Sequence, residues 1–124
     1  MTNPLAPAWL TVPDDVNGLD PKVWPSTAAR DADGALTVGG ISAQQLLAEY
    51  GSPLYVVDEA DARGRAARTV RAFNVAAERI GTHAKVYYAG KAFLTVAMAR
   101  WMAEEGLAID TSTEGELTVA LTAG

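Results

Sequence analysis

A chain of 124 residues, 49% hydrophobic and 20% charged, is sized and composed for one small globular domain. Its net charge of −5 argues against nucleic acid as a partner, the lack of cysteine excludes a disulfide framework and a thiolate nucleophile, and His83 alone cannot build a metal site. The N-terminus MTNPLAPAWL has neither a basic n-region nor a long apolar core, and no run approaches the roughly 20 apolar residues of a membrane helix. The expectation is a cytoplasmic protein with no membrane partner.

Five of the six prolines, Pro4, Pro7, Pro13, Pro21 and Pro25, fall in the first 25 residues, which predicts an extended arm over 1–34 rather than a helix. Trp9 and Trp24 in that arm need a surface to lie against. DADG (31–34) reads as a turn and ALTVGG (35–40) as a short strand. Ser42 with Gln45 three residues on forms a capping box, opening a helix that Gly51 ends. PLYVV (53–57) reads as a second strand.

Asp58 starts a long helix to about Ile80. Ala62, Ala66, Thr69, Val70, Phe73, Ala77 and Ile80 recur at helical spacing on one side. Arg63, Arg65, Arg68, Arg71 and Arg79, half of the ten basic residues, occupy much of the rest. In a chain of net negative charge they read as a solvated helix face rather than an anion site. KVYYAG (85–90) is a third strand. A helix from Phe93 to Glu105 places Leu94, Ala97, Met98, Trp101 and Met102 on a core face. LAID (107–110) is a fourth strand, and a helix follows from Thr113. Residues 85–124 thus alternate strand–helix–strand–helix, the pattern of parallel βα units. Two such units do not close a sheet, so the expectation is an open fragment, or a chain completed by another. Alone it is expected to be inactive and to hold little stable tertiary structure.

Lys91 stands at the C-terminal end of the third strand, where parallel α/β folds place reactive groups. Strand alternation would put Tyr87, Ala89 and Lys91 on one face, the small Ala89 leaving space beside the amine. A lysine amine forms Schiff bases with carbonyl groups when its surroundings favour the neutral form. The alternative is a strand-end lysine in solvent. Asp110 closes the next strand and should share Lys91's rim. Glu116 lies in the first turn of the helix beyond, where Thr113-x-x-Glu116 is also a capping box.

YYAGKAF (87–93) resembles the Tyr-Ala-x-Lys-Ala motif of the fold-type III pyridoxal-phosphate decarboxylases, the group acting on ornithine, arginine or diaminopimelate. DTSTEGELTVAL (110–121) resembles that group's following block, Asp-x-x-Ser-x-Gly-Glu-Leu, at Asp110, Gly115, Glu116 and Leu117. The stretch VWPSTAARDADGALTVGGISAQQLLAEYGSPLYVVDEADARGRAAR (23–68) is similar to the actinobacterial-type diaminopimelate branch, as is Phe93, where many relatives carry asparagine. The likeness covers roughly residues 20–124.

The resemblance implies an α/β fold in which 1–34 is an arm and 35–57 contributes strands and a helix to a β-sandwich domain. Residues 58–124 would begin a pyridoxal-phosphate-binding TIM-type (β/α)8 barrel, truncated here. It implies Lys91 as the catalytic residue that bonds the cofactor, with Ala89, Asp110 and Glu116 beside it. It further implies meso-diaminopimelate as substrate, L-lysine and CO₂ as products, and a homodimer. The phosphate site, the ring-nitrogen partner and the substrate-specificity segment of such enzymes would lie outside these residues. A decarboxylase of arginine, ornithine or a carboxylated polyamine precursor, a non-catalytic pyridoxal-phosphate barrel protein, and an interaction module with an unreactive Lys91 are the alternatives.

Overall fold

The computed structural model of the chain describes Pro7, Trp9 and residues 14–124. The arm reading for Pro4 and Pro13 lies outside the described residues. Order along the chain is β1 (Ala29–Arg30), β2 (Leu36–Val38), β3 (Ile41–Ser42), α1 (Ala43–Tyr50), α2 (Glu59–Glu78), β4 (Tyr87–Ala89), a 3₁₀ turn (Gly90–Ala92), α3 (Val96–Glu104), β5 (Ala108–Asp110) and α4 (Glu114–Ala123). The described residues are therefore α/β, with two small sheets and four helices.

The first sheet is antiparallel, in the order β1-β2-β3, with Ala29 opposite Thr37 and Val38 opposite Ile41. It is larger than the single strand expected at 35–40, because β1 draws residues 29 and 30 of the proline-rich segment into pairing. The turn expected at 31–34 is present: the Gly34 amide donates to the Asp31 carbonyl at 3.0 Å, and Gly34 has φ +79°. Ser42 caps α1 by accepting from the Gln45 amide at 3.1 Å, and Gly51, at φ +79°, ends it as expected. Trp24 finds its surface here. It lines an apolar hollow of about 450 Å³ with Leu36, Val38, Leu46 and Val56. Trp9 is exposed.

Residues 53–57 correct the sequence reading. They pair with no strand among the described residues, and Tyr55 is 94% exposed. Their β-forming composition is a local preference, and a strand exists only where a neighbour's peptide groups complete the ladder.

Asp58 caps α2 by accepting from the Asp61 amide, as the expected start required. The predicted apolar stripe is only partly used. Ala66 and Ala77 are buried and Ala62 and Val70 pack on the core, whereas Thr69, Phe73 and Ile80 are exposed. The arginine face departs from a purely solvated surface too. The Arg63 guanidinium bonds Glu59 at 2.7 Å, Glu104 at 2.6 Å and Glu105 at 3.2 Å, and lies 5.9 Å from the Trp101 ring centroid. Arg63 thus ties α2 to the end of α3. The hydrogen bonds it donates to Glu59 and Glu104 raise its pKa above the ordinary value.

The second sheet is the parallel pair β4-β5, with Tyr87 opposite Ala108, Tyr88 opposite Ile109 and Ala89 opposite Asp110. It is the βα pattern expected for 85–124, with α3 as the crossover. Helix α3 starts later than expected. Phe93 is extended, at φ −174° and ψ 120°, and Thr95 is the cap, accepting from the Met98 amide at 3.1 Å. On α3 the buried residues are Met98, Ala99 and Met102, while Ala97, expected inside, is exposed. Gly106, at φ +89°, turns the chain into β5 in a left-handed conformation that favours glycine.

Ala66, Met98, Met102 and Leu107 form the core, with Val86, Tyr88, Trp101 and Ile109 packed against it. Burying Met98, Met102 and Leu107 contributes roughly 1.5–3 kcal/mol each. No large side chain among the described residues is completely buried. No helix of the described residues is long and apolar enough to cross a membrane.

Candidate functional site

The parallel pair sets out the site. Ala89 ends β4 and Asp110 ends β5, and the two are register partners. Their chain exits therefore share one rim, as the strand reading of Asp110 required. That rim is the end of a parallel sheet where α/β folds bind ligands.

Lys91 is not part of the strand. It lies in the 3₁₀ turn Gly90–Ala92 that follows β4, so the expected alternation of Tyr87, Ala89 and Lys91 stops at Ala89. The strand ends there because Gly90 turns inward and is buried, while Lys91 and Asp110 are exposed and Ala89 and Glu116 are half-buried. Among the described residues no ion pair within 4.0 Å joins Lys91 to Asp110 or Glu116. His83 is exposed, and the described residues hold no cluster of metal-ligating side chains.

Gly90 is the hinge of the arrangement. A Cβ at this position would stand 3.0 Å from the Asp110 carbonyl oxygen, 3.2 Å from Leu94 Cδ2 and 3.5 Å from Glu116 Oε2. The backbone of the turn thus lies against Asp110 and Glu116, and Lys91 is the next residue. In the Tyr-Ala-x-Lys-Ala motif Gly90 occupies the unspecified position. The available signal was a glycine at a strand exit, which marks close backbone approach.

Glu116 keeps both roles considered for it within reach. Thr113 caps α4, accepting from the Glu116 amide at 3.2 Å. Glu116 Oε2 in turn accepts from the Ser112 amide at 2.7 Å, one residue before the position a standard capping box would use. The carboxylate is thereby held over the helix N-terminus and beside the Gly90 turn. Tyr88, also passed over in the sequence, donates its hydroxyl to the Phe93 carbonyl at 2.5 Å, and burial pushes its pKa up.

Residues 66–124, which contain this whole rim, match the family described as pyridoxal-dependent decarboxylase, pyridoxal binding domain. The rim therefore falls within a segment similar to a cofactor-binding domain of decarboxylases. At higher resemblance, the chain is 49% identical over 103 residues to diaminopimelate decarboxylase of Mycobacterium tuberculosis, covering 83% of this chain and 22% of that protein. It is 46% identical over 110 residues to the Corynebacterium efficiens enzyme of the same name, covering 89% and 22%. It is 44% identical over 98 residues to that of Bacillus subtilis, covering 79% and 21%. The chain is similar to these three diaminopimelate decarboxylases and spans about a fifth of their length. The resemblance drawn from YYAGKAF and DTSTEGEL is borne out.

Proposed function

We propose that this chain carries the cofactor-attachment segment of a pyridoxal-phosphate-dependent decarboxylase that converts meso-2,6-diaminopimelate to L-lysine and CO₂. The observation that supports it is the rim itself: a lysine in the turn leaving β4, beside the end of β5 and the Glu116 carboxylate. The identities to diaminopimelate decarboxylases supply the substrate.

The residues present fit a pyridoxal group. Lys91 is exposed at the ligand-binding end of a parallel sheet, and the half-buried Ala89 two residues before it carries only a methyl group. The close approach at Gly90, where a Cβ would be 3.0 Å from the Asp110 oxygen, keeps the turn low against the sheet. When bound, pyridoxal phosphate supplies an electron sink for the pair left as a carboxylate departs as CO₂. Lys91 would hold the group covalently through Nζ and, when free of it, would carry a proton at that atom. Asp110 and Glu116 would hold that ammonium by charge-assisted hydrogen bonds and keep it at the rim. Glu116 Oε2 is engaged by Ser112, which leaves Oε1 for this task.

In the same reading β4, α3, β5 and α4 begin a (β/α)8 barrel, and residues 35–57 serve a β-sandwich domain. The change from an antiparallel to a parallel sheet across residue 58 supports that division. The working enzyme is a cytoplasmic homodimer.

The test is borohydride reduction of the protein with pyridoxal phosphate, followed by peptide mass spectrometry. The label is expected on Lys91, and a label on Lys85 or Lys22 instead overturns the assignment. In the enzyme carrying this segment, Lys91→Ala is expected to abolish CO₂ release from meso-diaminopimelate.

A further inference from the structure

Tyr88 in β4 and Phe93 on the approach to α3 stand five positions apart, and one hydrogen bond joins them. Tyr88 is fixed at its base: its backbone pairs with Ile109 in the sheet, and its ring packs on the core of Ala66, Met98, Met102 and Leu107. At its tip, the hydroxyl reaches the Phe93 carbonyl at 2.5 Å. The 3₁₀ turn Gly90–Ala92 lies inside the loop that this bond closes. Its entry is held by the buried Gly90 against the Asp110 carbonyl oxygen. Its exit is held more loosely: Leu94 Cδ2 lies near Gly90, but Phe93 is extended and 45% exposed, and the helix cap begins only at Thr95. The Tyr88 hydroxyl thus supplies a hydrogen bond that pins the exit at Phe93.

We infer that Tyr88 is a positioning residue for Lys91, clamping the turn that presents the amine at the rim; this rests on the proposed function of Lys91. Tyr88 touches neither Asp110 nor Glu116 through its hydroxyl and takes no part in proton transfer. It acts by limiting the orientations available to the turn, and such restriction is a recognised source of rate in reactions between held groups.

The test is Tyr88→Phe, which keeps the ring in the core and removes only the clamp, with Tyr87→Phe on the exposed neighbour as control. The enzyme carrying this segment is treated with pyridoxal phosphate and borohydride, and labelling of Lys91 is divided by that of Lys85 in the same molecule. Tyr88→Phe is expected to lower this ratio roughly tenfold or more and to speed amide exchange over residues 91–95, with Tyr87→Phe unchanged. Replacing Tyr88 by 4-aminophenylalanine, which keeps a donor at the ring tip, is expected to restore the ratio. A ratio unchanged in Tyr88→Phe, or a lowered ratio that 4-aminophenylalanine does not restore, overturns the inference even if the urea midpoint falls, and makes Tyr88 a packing residue. No labelling of Lys91 in the unsubstituted enzyme carrying this segment overturns the proposed function and this inference with it.

Discussion

Glu116 Oε2 accepts a 2.7 Å hydrogen bond from the Ser112 amide, so one carboxylate closes the N-terminus of α4 while standing next to the turn that bears Lys91. Capping and charge are separable here. Glu116→Ala removes both and is expected to cost about 1 kcal/mol of stability. Glu116→Gln keeps an oxygen for the Ser112 amide and is expected to leave the urea midpoint nearly unchanged. Both are expected to reduce borohydride-trapped pyridoxal at Lys91. Trapping undiminished in Glu116→Gln would remove the carboxylate from the site.

Gly90 predicts a second separation, between conformational freedom and space. It is absent from the left-handed glycines, so its requirement is room: a Cβ would meet a backbone oxygen at 3.0 Å and Leu94 Cδ2 at 3.2 Å. The Asp110 carbonyl belongs to a residue paired in the β4-β5 register and cannot retreat easily. Gly90→Ala is expected to destabilise the chain by roughly 1–3 kcal/mol through overpacking, measured by urea unfolding. A neutral or stabilising result would show that the turn lifts away from β5 without cost.

Asp61 predicts the response to acid. Its side chain is nearly buried on α2, where it accepts from the Ser26 amide at 3.1 Å and from Arg65 at 2.7 Å. Burial pushes its carboxyl pKa up, but the Arg65 and Ser26 hydrogen bonds outweigh that and hold it below the ordinary value. A carboxyl whose pKa is lowered by folding stabilises the fold above its unfolded pKa, about 3.9, and that contribution is lost as pH falls through the folded value. The chain is expected to lose stability as pH falls below about 4, with amides near Ser26 exchanging faster. Asp61→Asn is expected to flatten the dependence in that window. An equal slope in both proteins would assign the acid loss to other carboxylates.

Much of this molecule is decided by neighbours in the chain. Ser42, Asp58 and Thr113 cap their helices through bonds to amides three residues on, and Gly51 and Gly106 end theirs by adopting positive φ. Such bonds need only local sequence, so the helices and the alternation that makes β4 and β5 parallel are legible in the letters. The motif residues Lys91 and Asp110 are legible as well, since strand exits fall at the end of apolar runs, and Glu116 is legible three residues after the Thr113 cap. What required the tertiary structure is everything whose partner is distant or whose space is shared. Residues 53–57 have strand composition but no ladder to join. Arg63 looks solvated until α2 meets Glu104, Glu105 and Trp101 of another segment. Ser26 reaches Asp61, and Thr27 reaches Asp58, across more than thirty residues. Lys91 leaves the strand because Gly90 packs on Asp110, and α3 starts late because the Phe93 carbonyl is held by Tyr88. Periodicity and caps operate within four residues, whereas pairing, ion pairs and close packing depend on which surfaces the folded chain brings together.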